Sequence, residues 1–227
     1  MLLHIPQVLN GQELQSLHQA LVSSLWVDGR ASAGPQAVLV KNNAQLAYES
    51  EAARSLGLVV LKALERHPGF FPAALPRKTY PPGFNRYGGQ ANAYGKHVDN
   101  AVRVVPDSGL RVRTDISCTL FLSDPASYEG GELVIHEGRS ERRVKLPAGD
   151  MVLYPGNTVH EVTPVTRGER LASFFWVESM VRSDEQRSLL LEMDMAIMQL
   201  RQQFGENPAT VALTGTYHNL LRLWAET

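Results

Sequence analysis

A single cysteine, Cys118, stands in 227 residues, so no intramolecular disulfide can form and stability has to come from a packed core. Cys118 lies in the apolar stretch from Ile116 to Leu122, where a buried, inert thiol is expected. Neither sign of charge is in excess: 22 basic residues face 23 acidic ones, for a net charge of -1. No broad field is therefore available to recruit nucleic acid or an anionic membrane. Apolar runs are short of the ~20 residues that a bilayer-spanning helix takes. The N-terminus has no basic leader, and Pro6, Asn10 and Gln12 interrupt it before an export core can form. The expectation is a cytoplasmic protein with no nucleic-acid or membrane partner. Internal repeats and low-complexity segments are also missing. What is present is 44% hydrophobic and 20% charged residues, the composition of a chain with a substantial core, and the length suits one catalytic unit.

Hydropathy patterning divides that unit into three stretches. Asn10 followed by Glu13 resembles a capping box, and Leu14, Leu17, Leu21 and Leu25 recur at helical spacing, which predicts a helix over 11–25. A second helix is predicted over 44–66, with Leu46, Ala53, Leu56, Val60 and Leu64 as its buried stripe, closed by His67-Pro68-Gly69. Residues 1–77 thus read as a helical N-terminal layer. From 78 to 178 short β-rich runs alternate with turn residues. Strands are predicted near 84–87, 91–99, 114–122, 132–137, 141–145, 150–154, 159–165 and 171–177. Eight strands at this spacing fit a double-stranded β-helix, a jelly roll whose facing sheets form a funnel. The fold class is therefore α+β with a mainly β core. Residues 179–227 return to helix: Ser183 with Gln186 marks a start, Leu189, Leu190, Met193, Ile197 and Leu200 follow, Gly205 stops it, and a last helix covers 208–225. In that last helix Leu213, Tyr217, Leu220 and Trp224 read as a packing or subunit face, through which a homodimer could form.

The chemistry is carried by four polar side chains. On an extended strand His97 and Asp99 project from one face, because side chains alternate there. His160, arriving from a distant strand, would complete a two-histidine, one-carboxylate facial triad, which grips a metal on one side and leaves positions open for chemistry. Arg170 follows His160 by ten residues and enters a strand with Phe174, Phe175 and Trp176. A guanidinium is costly to bury there unless a carboxylate receives it. Alternation puts Arg170, Ala172, Phe174 and Trp176 on one face, with Ala172 leaving room beside the arginine. His4, His18, His67 and His218 have no such partners, and His136 is the one rival ligand, since it lies in a predicted core strand. Gly130-Gly131 and Pro147-Ala148-Gly149-Asp150 read as turns into strands.

Taken together, Phe84-Asn85-Arg86-Tyr87, His97-Val98-Asp99-Asn100-Ala101, Gly130-Gly131-Glu132-Leu133, Pro147-Ala148-Gly149-Asp150 and the segment from His160 to Arg170 resemble the iron(II) and 2-oxoglutarate dioxygenases of the prolyl/lysyl-hydroxylase-domain group. The resemblance is nearest to the PKHD-type hydroxylases, or PiuC-like iron-uptake factors, and spans almost the whole chain. It implies that His97, Asp99 and His160 ligate Fe(2+), that Arg170 binds the distal carboxylate of 2-oxoglutarate, and that Tyr87, ten residues before His97, helps hold that cosubstrate. No catalytic residue beyond the metal ligands is implied. The implied reaction uses O2 to hydroxylate a small-molecule or peptidyl substrate while 2-oxoglutarate becomes succinate and CO2, with L-ascorbate as the reductant that rescues oxidised iron. Two other readings of the same residues stay open: a non-catalytic iron or 2-oxoglutarate sensor, and a cupin-like metalloprotein with another metal and no 2-oxoglutarate, in which Arg170 would be exposed and His136 could join the ligands. The segment 103–113, with Arg103, Arg111 and Arg113, reads either as a lid over the substrate or as solvated loop charge.

Overall fold

The computed structural model describes residues 1–106 and 108–227. Two antiparallel sheets face one another. The larger runs, in spatial order, through Leu3–Ile5, Met151–Pro155, Ile116–Phe121, Arg170–Ser179, Gly83–Tyr87, Ala44–Leu46 and Trp26–Asp28, with Pro76–Thr79 pairing the far end of Arg170–Ser179. The smaller runs through Ser140–Val144, Leu133–Glu137, Val159–Val162, Ala93–His97 and Lys41–Asn42. This is the jelly-roll arrangement expected, and its register explains the split of the side chains. Along Ile116–Phe121, Ile116, Cys118 and Leu120 turn outward, while Phe121 joins the cluster between the sheets. The outward residues meet the two N-terminal helices, through Leu17, Leu21, Leu56, Val60, Ala63 and Leu64. Cys118 is thus a buried thiol in an apolar layer.

The first helix is Gly11–Val22, with the expected box: Asn10 accepts from the Glu13 N–H and the Glu13 side chain accepts from the Asn10 N–H. It stops three residues before the predicted end, and Leu25 is exposed at 84%. The chain needs Trp26–Asp28 as a strand against Ala44–Leu46, and Leu25 belongs to the turn between. The second helix, Glu51–Arg66, is shorter than predicted because Ser50 caps it, accepting from the Ala53 N–H. Ala44–Leu46, taken as its first turn, is a strand: Gln45 sits opposite both Val27 and Asn85. The N-terminal stretch therefore supplies strands to both sheets besides its helices.

At the other end Ser183 caps Asp184–Phe204, Gly205 ends it, and Asn207 caps Pro208–Trp224. Leu190, Ile197, Met193, Tyr217, Leu220 and Trp224 pack with Leu75 and Val181. Leu189, predicted for the buried stripe, is 56% exposed, one position off the face that meets the core. Arg187 is fully buried and ties the start of this helix to the Val181 and Arg182 carbonyls, each at 2.8 Å, and to Asp184. No helix among the described residues is long and apolar enough to cross a membrane. The segment 103–113 is mostly a hairpin, Val102–Val104 against Arg111–Arg113. Residue 107, inside the expected lid, lies outside the described residues.

Candidate metal centre

The space between the sheets is an open cavity lined by both of them. Its polar centre is built by the smaller sheet, in which His160 lies directly opposite His97. Their rings stand 4.3 Å apart, centroid to centroid. Both imidazoles are oriented the same way: Nδ1 of His97 meets the Gly95 carbonyl at 2.8 Å, and Nδ1 of His160 meets the Thr158 carbonyl at 3.0 Å. A carbonyl only accepts, so each Nδ1 carries the proton and donates it, which leaves each Nε2 lone pair free to bind an ion. Tyr94 stacks on His97 at 3.6 Å, and Tyr154 meets His160 edge-on at 5.1 Å, fixing both rings.

Asp99 differs from expectation in one respect. The strand ends at His97, so Asp99 is held in the loop just beyond it. The ladder to Val159–Val162 ends at the His97–His160 pair and does not reach Asp99. Asp99 is fixed instead from the opposite sheet: Ser117 Oγ donates to its Oδ2 at 2.6 Å. The in-and-out alternation persists across Val98, which is 43% exposed. Asp99 Oδ2 lies 3.7 Å from His160 Nε2, and one ligand atom from each of His97, Asp99 and His160 lies within 4.8 Å of the others. Burial alone would raise the Asp99 carboxyl, but His160, Ser117 and His97 together hold it below its ordinary value. Burial and the neighbouring His160 push His97 down to about 4, so at neutral pH the site presents an anion and a neutral imidazole, the protonation states a metal requires. Two nitrogens and one carboxylate oxygen on one side of an open space is the donor set that suits ferrous iron.

Arg170 lies on the inner face of Arg170–Ser179, 1% exposed. Its guanidinium is 5.2 Å from the Tyr87 ring and 5.2 Å from the Phe121 ring, and Nε, Nη1 and Nη2 all lack a hydrogen-bond partner. The Tyr128 hydroxyl is buried without a partner as well. An unpaired buried cation is expensive; three orphaned donors mark a place where an anion belongs. Gly131 makes the room. At φ +64 it is left-handed, and a Cβ there would stand 3.1 Å from Arg170 Cδ and 3.0 Å from Tyr128 Cε2, so this glycine shapes the site besides turning the chain. Tyr87 is buried beneath Arg170, in contact with Asn85, whose Nδ2 donates to the phenol at 3.5 Å. Burial raises the Tyr87 phenol, which stays a protonated donor.

His136 does not join the cluster. It pairs with Glu161 at 3.0 Å and does not line the cavity, which removes the ligand set of the cupin-like reading. His4 meets Asp150, His67 the Pro6 carbonyl, and His18 the Leu122 carbonyl, all structural contacts. Of the loop arginines, Arg113 pairs with Asp115 at 2.7 Å and with Glu226, whereas Arg103 turns into the cavity wall against Trp176. Lys41, Ser117 and Tyr94 also line the site and are not marked in the sequence as site residues, whereas Arg103 is expected there either in a lid or as loop charge. Only Ser117 carried a signal: at odd spacing from Cys118 in an apolar strand, it was a polar residue due to face inward.

The 2OG-Fe(II) oxygenase superfamily matches residues 82–178, and the PKHD-type hydroxylase C-terminal domain matches residues 184–226. A PKHD-type hydroxylase of Polaromonas sp. is 61% identical over 227 residues, and one of Verminephrobacter eiseniae is 59% identical over 227 residues, each alignment covering 100% of both chains. Among solved structures, a Pseudomonas putida prolyl-4-hydroxylase aligns with a TM-score of 0.52 at 16% identity, over 78% of this chain and 92% of that one. A Trichoplax adhaerens prolyl hydroxylase, solved with a hypoxia inducible factor peptide, aligns with a TM-score of 0.55 at 14% identity, over 83% of this chain and 86% of that one. At such identities the structural likeness is one of fold, but the full-length sequence identity is decisive: the chain belongs to the PKHD-type hydroxylase family, within the 2OG-Fe(II) oxygenase superfamily.

Proposed function

We propose that His97, Asp99 and His160 hold Fe(2+), and that Arg170, backed by Tyr87, receives the distal carboxylate of 2-oxoglutarate in a hydroxylase that acts on a small-molecule or peptidyl substrate. The observation that carries this reading is the Arg170 guanidinium, buried with all three nitrogens unpartnered in the same cavity as the triad. When bound, the iron and 2-oxoglutarate together supply the oxidising power to insert one atom of O2 into a C–H bond, the other atom leaving in succinate beside CO2. The protein's part is positional. Gly95 and Thr158 carbonyls set the imidazole tautomers, Ser117 aims the carboxylate, and the aromatic walls of Tyr94, Tyr154, Phe174 and Trp176 keep water out. L-ascorbate fits as the external reductant for iron oxidised in unproductive cycles.

Residues 78–178 form the catalytic core in this reading, with 1–77 and 179–227 packed on it. The cytoplasm, where free cysteines and ferrous iron persist, is the matching compartment. Succinate release that requires both iron and 2-oxoglutarate tests the proposal, with Arg170→Ala as the site control. A variant with undiminished cosubstrate affinity overturns the assignment of Arg170, and iron binding without any turnover favours a sensor.

A further inference from the structure

Two more cations line the cavity, and neither has a carboxylate. Lys41 is 6% exposed; its Nζ donates to Ser32 Oγ at 2.9 Å and lies 5.1 Å from the Tyr94 ring. The Arg103 guanidinium is 4.0 Å from the Trp176 ring and 5.3 Å from the Tyr80 ring, its Nη2 donates to the Ser32 carbonyl at 3.4 Å, and its Nε is buried without a partner. Ser32 therefore gathers both positive groups onto one patch of wall. Among the described residues no Asp or Glu oxygen comes within ion-pair distance of either. Elsewhere the pattern is the opposite: Arg113, Arg143, Arg167 and Arg201 pair with carboxylates at 2.7 to 2.9 Å, although most of them are exposed enough for water to serve. Holding two like charges together, partly out of water and unpaired, costs energy that an incoming anion would return.

Position decides which anion. Trp176 lies opposite Ser117 in the sheet, and Ser117 holds Asp99, so Arg103 stands at the metal's level. Arg170 lies six residues away along the same strand, roughly 20 Å of extended chain. Charge bookkeeping agrees. With Fe(2+), Asp99, a doubly negative 2-oxoglutarate and Arg170, the formal charges cancel, which leaves Arg103 and beside it Lys41, an amine that burial and Arg103 pull down to about 7 in the ligand-free protein and that an adjacent anion would hold protonated. Asn43, whose side-chain oxygen and nitrogen are both buried without partners, lines the same wall and adds neutral donor and acceptor capacity.

We infer that the substrate hydroxylated here carries an anionic oxygen group, a carboxylate or a phosphate, that docks between Lys41 and Arg103. This rests on reading Arg170 as the 2-oxoglutarate end of the cavity. A neutral or cationic substrate would leave the two charges facing an empty or repulsive neighbour, so the pair acts as a selector as well as an anchor.

The test uses the full chain loaded with redox-inert Ni(II), titrated calorimetrically first with 2-oxoglutarate and then, when saturated, with benzoate, phenyl phosphate and the uncharged benzamide. At least one anion should bind about tenfold or more tighter than benzamide, and the better of the two identifies the group. Lys41→Met, which keeps the aliphatic stem, and Arg103→Gln should each weaken that anion about 10- to 100-fold, while Arg103→Lys retains most of it. Thermal melts of each variant establish that it is folded; if Arg103→Gln is not, Lys41→Met carries the test. Benzamide binding as well as both anions, no binding by either anion, or anion binding indifferent to Lys41→Met overturns the inference. So does a collapse of 2-oxoglutarate affinity in Lys41→Met, since the cations would then serve the cosubstrate. A Ni(II)-loaded unsubstituted protein that takes up no 2-oxoglutarate refutes the reading of Arg170 itself, a result distinct from these.

Discussion

Replacing Arg170 by methionine should stabilise the ligand-free protein and destroy its hold on 2-oxoglutarate. The guanidinium is 1% exposed and none of its nitrogens has a partner; its compensation is two aromatic faces, each 5.2 Å away. Two such faces return roughly 1–4 kcal/mol, against an effective desolvation cost of several kcal/mol for a buried ion. Methionine fills comparable volume without the charge, and exchanges of buried ions for apolar side chains gain about 1–4 kcal/mol. In a chain of this length each kcal/mol moves the melting temperature by roughly 2–4 °C, so the variant should melt several degrees above the parent. Adding 2-oxoglutarate reverses the order. A two-pronged guanidinium–carboxylate contact contains two charge-assisted hydrogen bonds of about 1.5–3 kcal/mol each, so the variant loses about 10²- to 10⁴-fold in affinity. At about 100 times its dissociation constant the ligand stabilises the parent by roughly 2.7 kcal/mol and the variant by almost nothing. Scanning calorimetry of the Ni(II)-loaded proteins with and without 2-oxoglutarate reads both effects. A ligand-free variant that melts below the parent would mean that the guanidinium is paired in the folded chain, and a retained ligand shift would remove Arg170 from the cosubstrate site.

Three other outcomes are specific to this geometry. Ser117→Ala removes the 2.6 Å donor to Asp99, and loss of such a supporting contact should weaken Co(II) or Fe(2+) binding about 10- to 100-fold with little change in melting temperature; unaltered metal affinity would show that Ser117 does not orient the carboxylate. Gly131→Ala forces a side chain into the left-handed region at φ +64, with its Cβ 2.8 Å from Val165 Cγ2 and 3.1 Å from Arg170 Cδ. Roughly 1–2 kcal/mol of backbone strain and about 1–3 kcal/mol of overpacking should lower the melting temperature and 2-oxoglutarate affinity together, and a variant of normal stability would contradict the crowding. For pH, His97 sits at about 4 in the fold, with burial as the main cause, against an ordinary 6.5. Between those values the unfolded chain binds more protons than the folded one, so metal-free stability should fall as pH drops from 6.5 towards 4 and be recovered above it. Metal affinity should fall in the same direction, because protons compete for Nε2; urea midpoints and Ni(II) titrations that stay flat over this range would refute the assignment.

What the sequence made legible was chemistry whose residues announce one another at short range or by type. His97 and Asp99 share a face through two-residue spacing, Asn10 and Glu13 form their cap within one turn, and an arginine among Phe174, Phe175 and Trp176 is conspicuous because burying it is costly. Even there the local reasoning went slightly astray: Asp99 keeps its direction without the strand assumed to provide it, because Ser117 on the facing sheet supplies the constraint. Ala44–Leu46 failed for the complementary reason. Three residues cannot distinguish a helical from an extended period, and pairing with Trp26–Asp28 and Gly83–Tyr87 decided the matter.

The unread part of the site is non-local throughout. Lys41 occupies a two-residue strand at the edge of the smaller sheet, and it reaches the cavity because it lies opposite Tyr94, whose own ring packs on His97. Arg103 read either as part of a lid or as one of several solvated loop charges; what distinguishes it from Arg113, ten residues on, is that Arg113 finds Asp115 two positions away while Arg103 finds Trp176 across the fold. Sequence proximity to a carboxylate does not sort the cations, since Arg170 follows Glu169 directly and Arg66 pairs with the distant Glu13; the topology does, and it brings Lys41, Arg103 and Arg170 to the same cavity. A pocket that gathers three cations, Lys41, Arg103 and Arg170, around one lining carboxylate, Asp99, is built to be completed by anions. In the proposed site 2-oxoglutarate neutralises Arg170, which leaves the acceptor of the oxygen atom to answer Lys41 and Arg103.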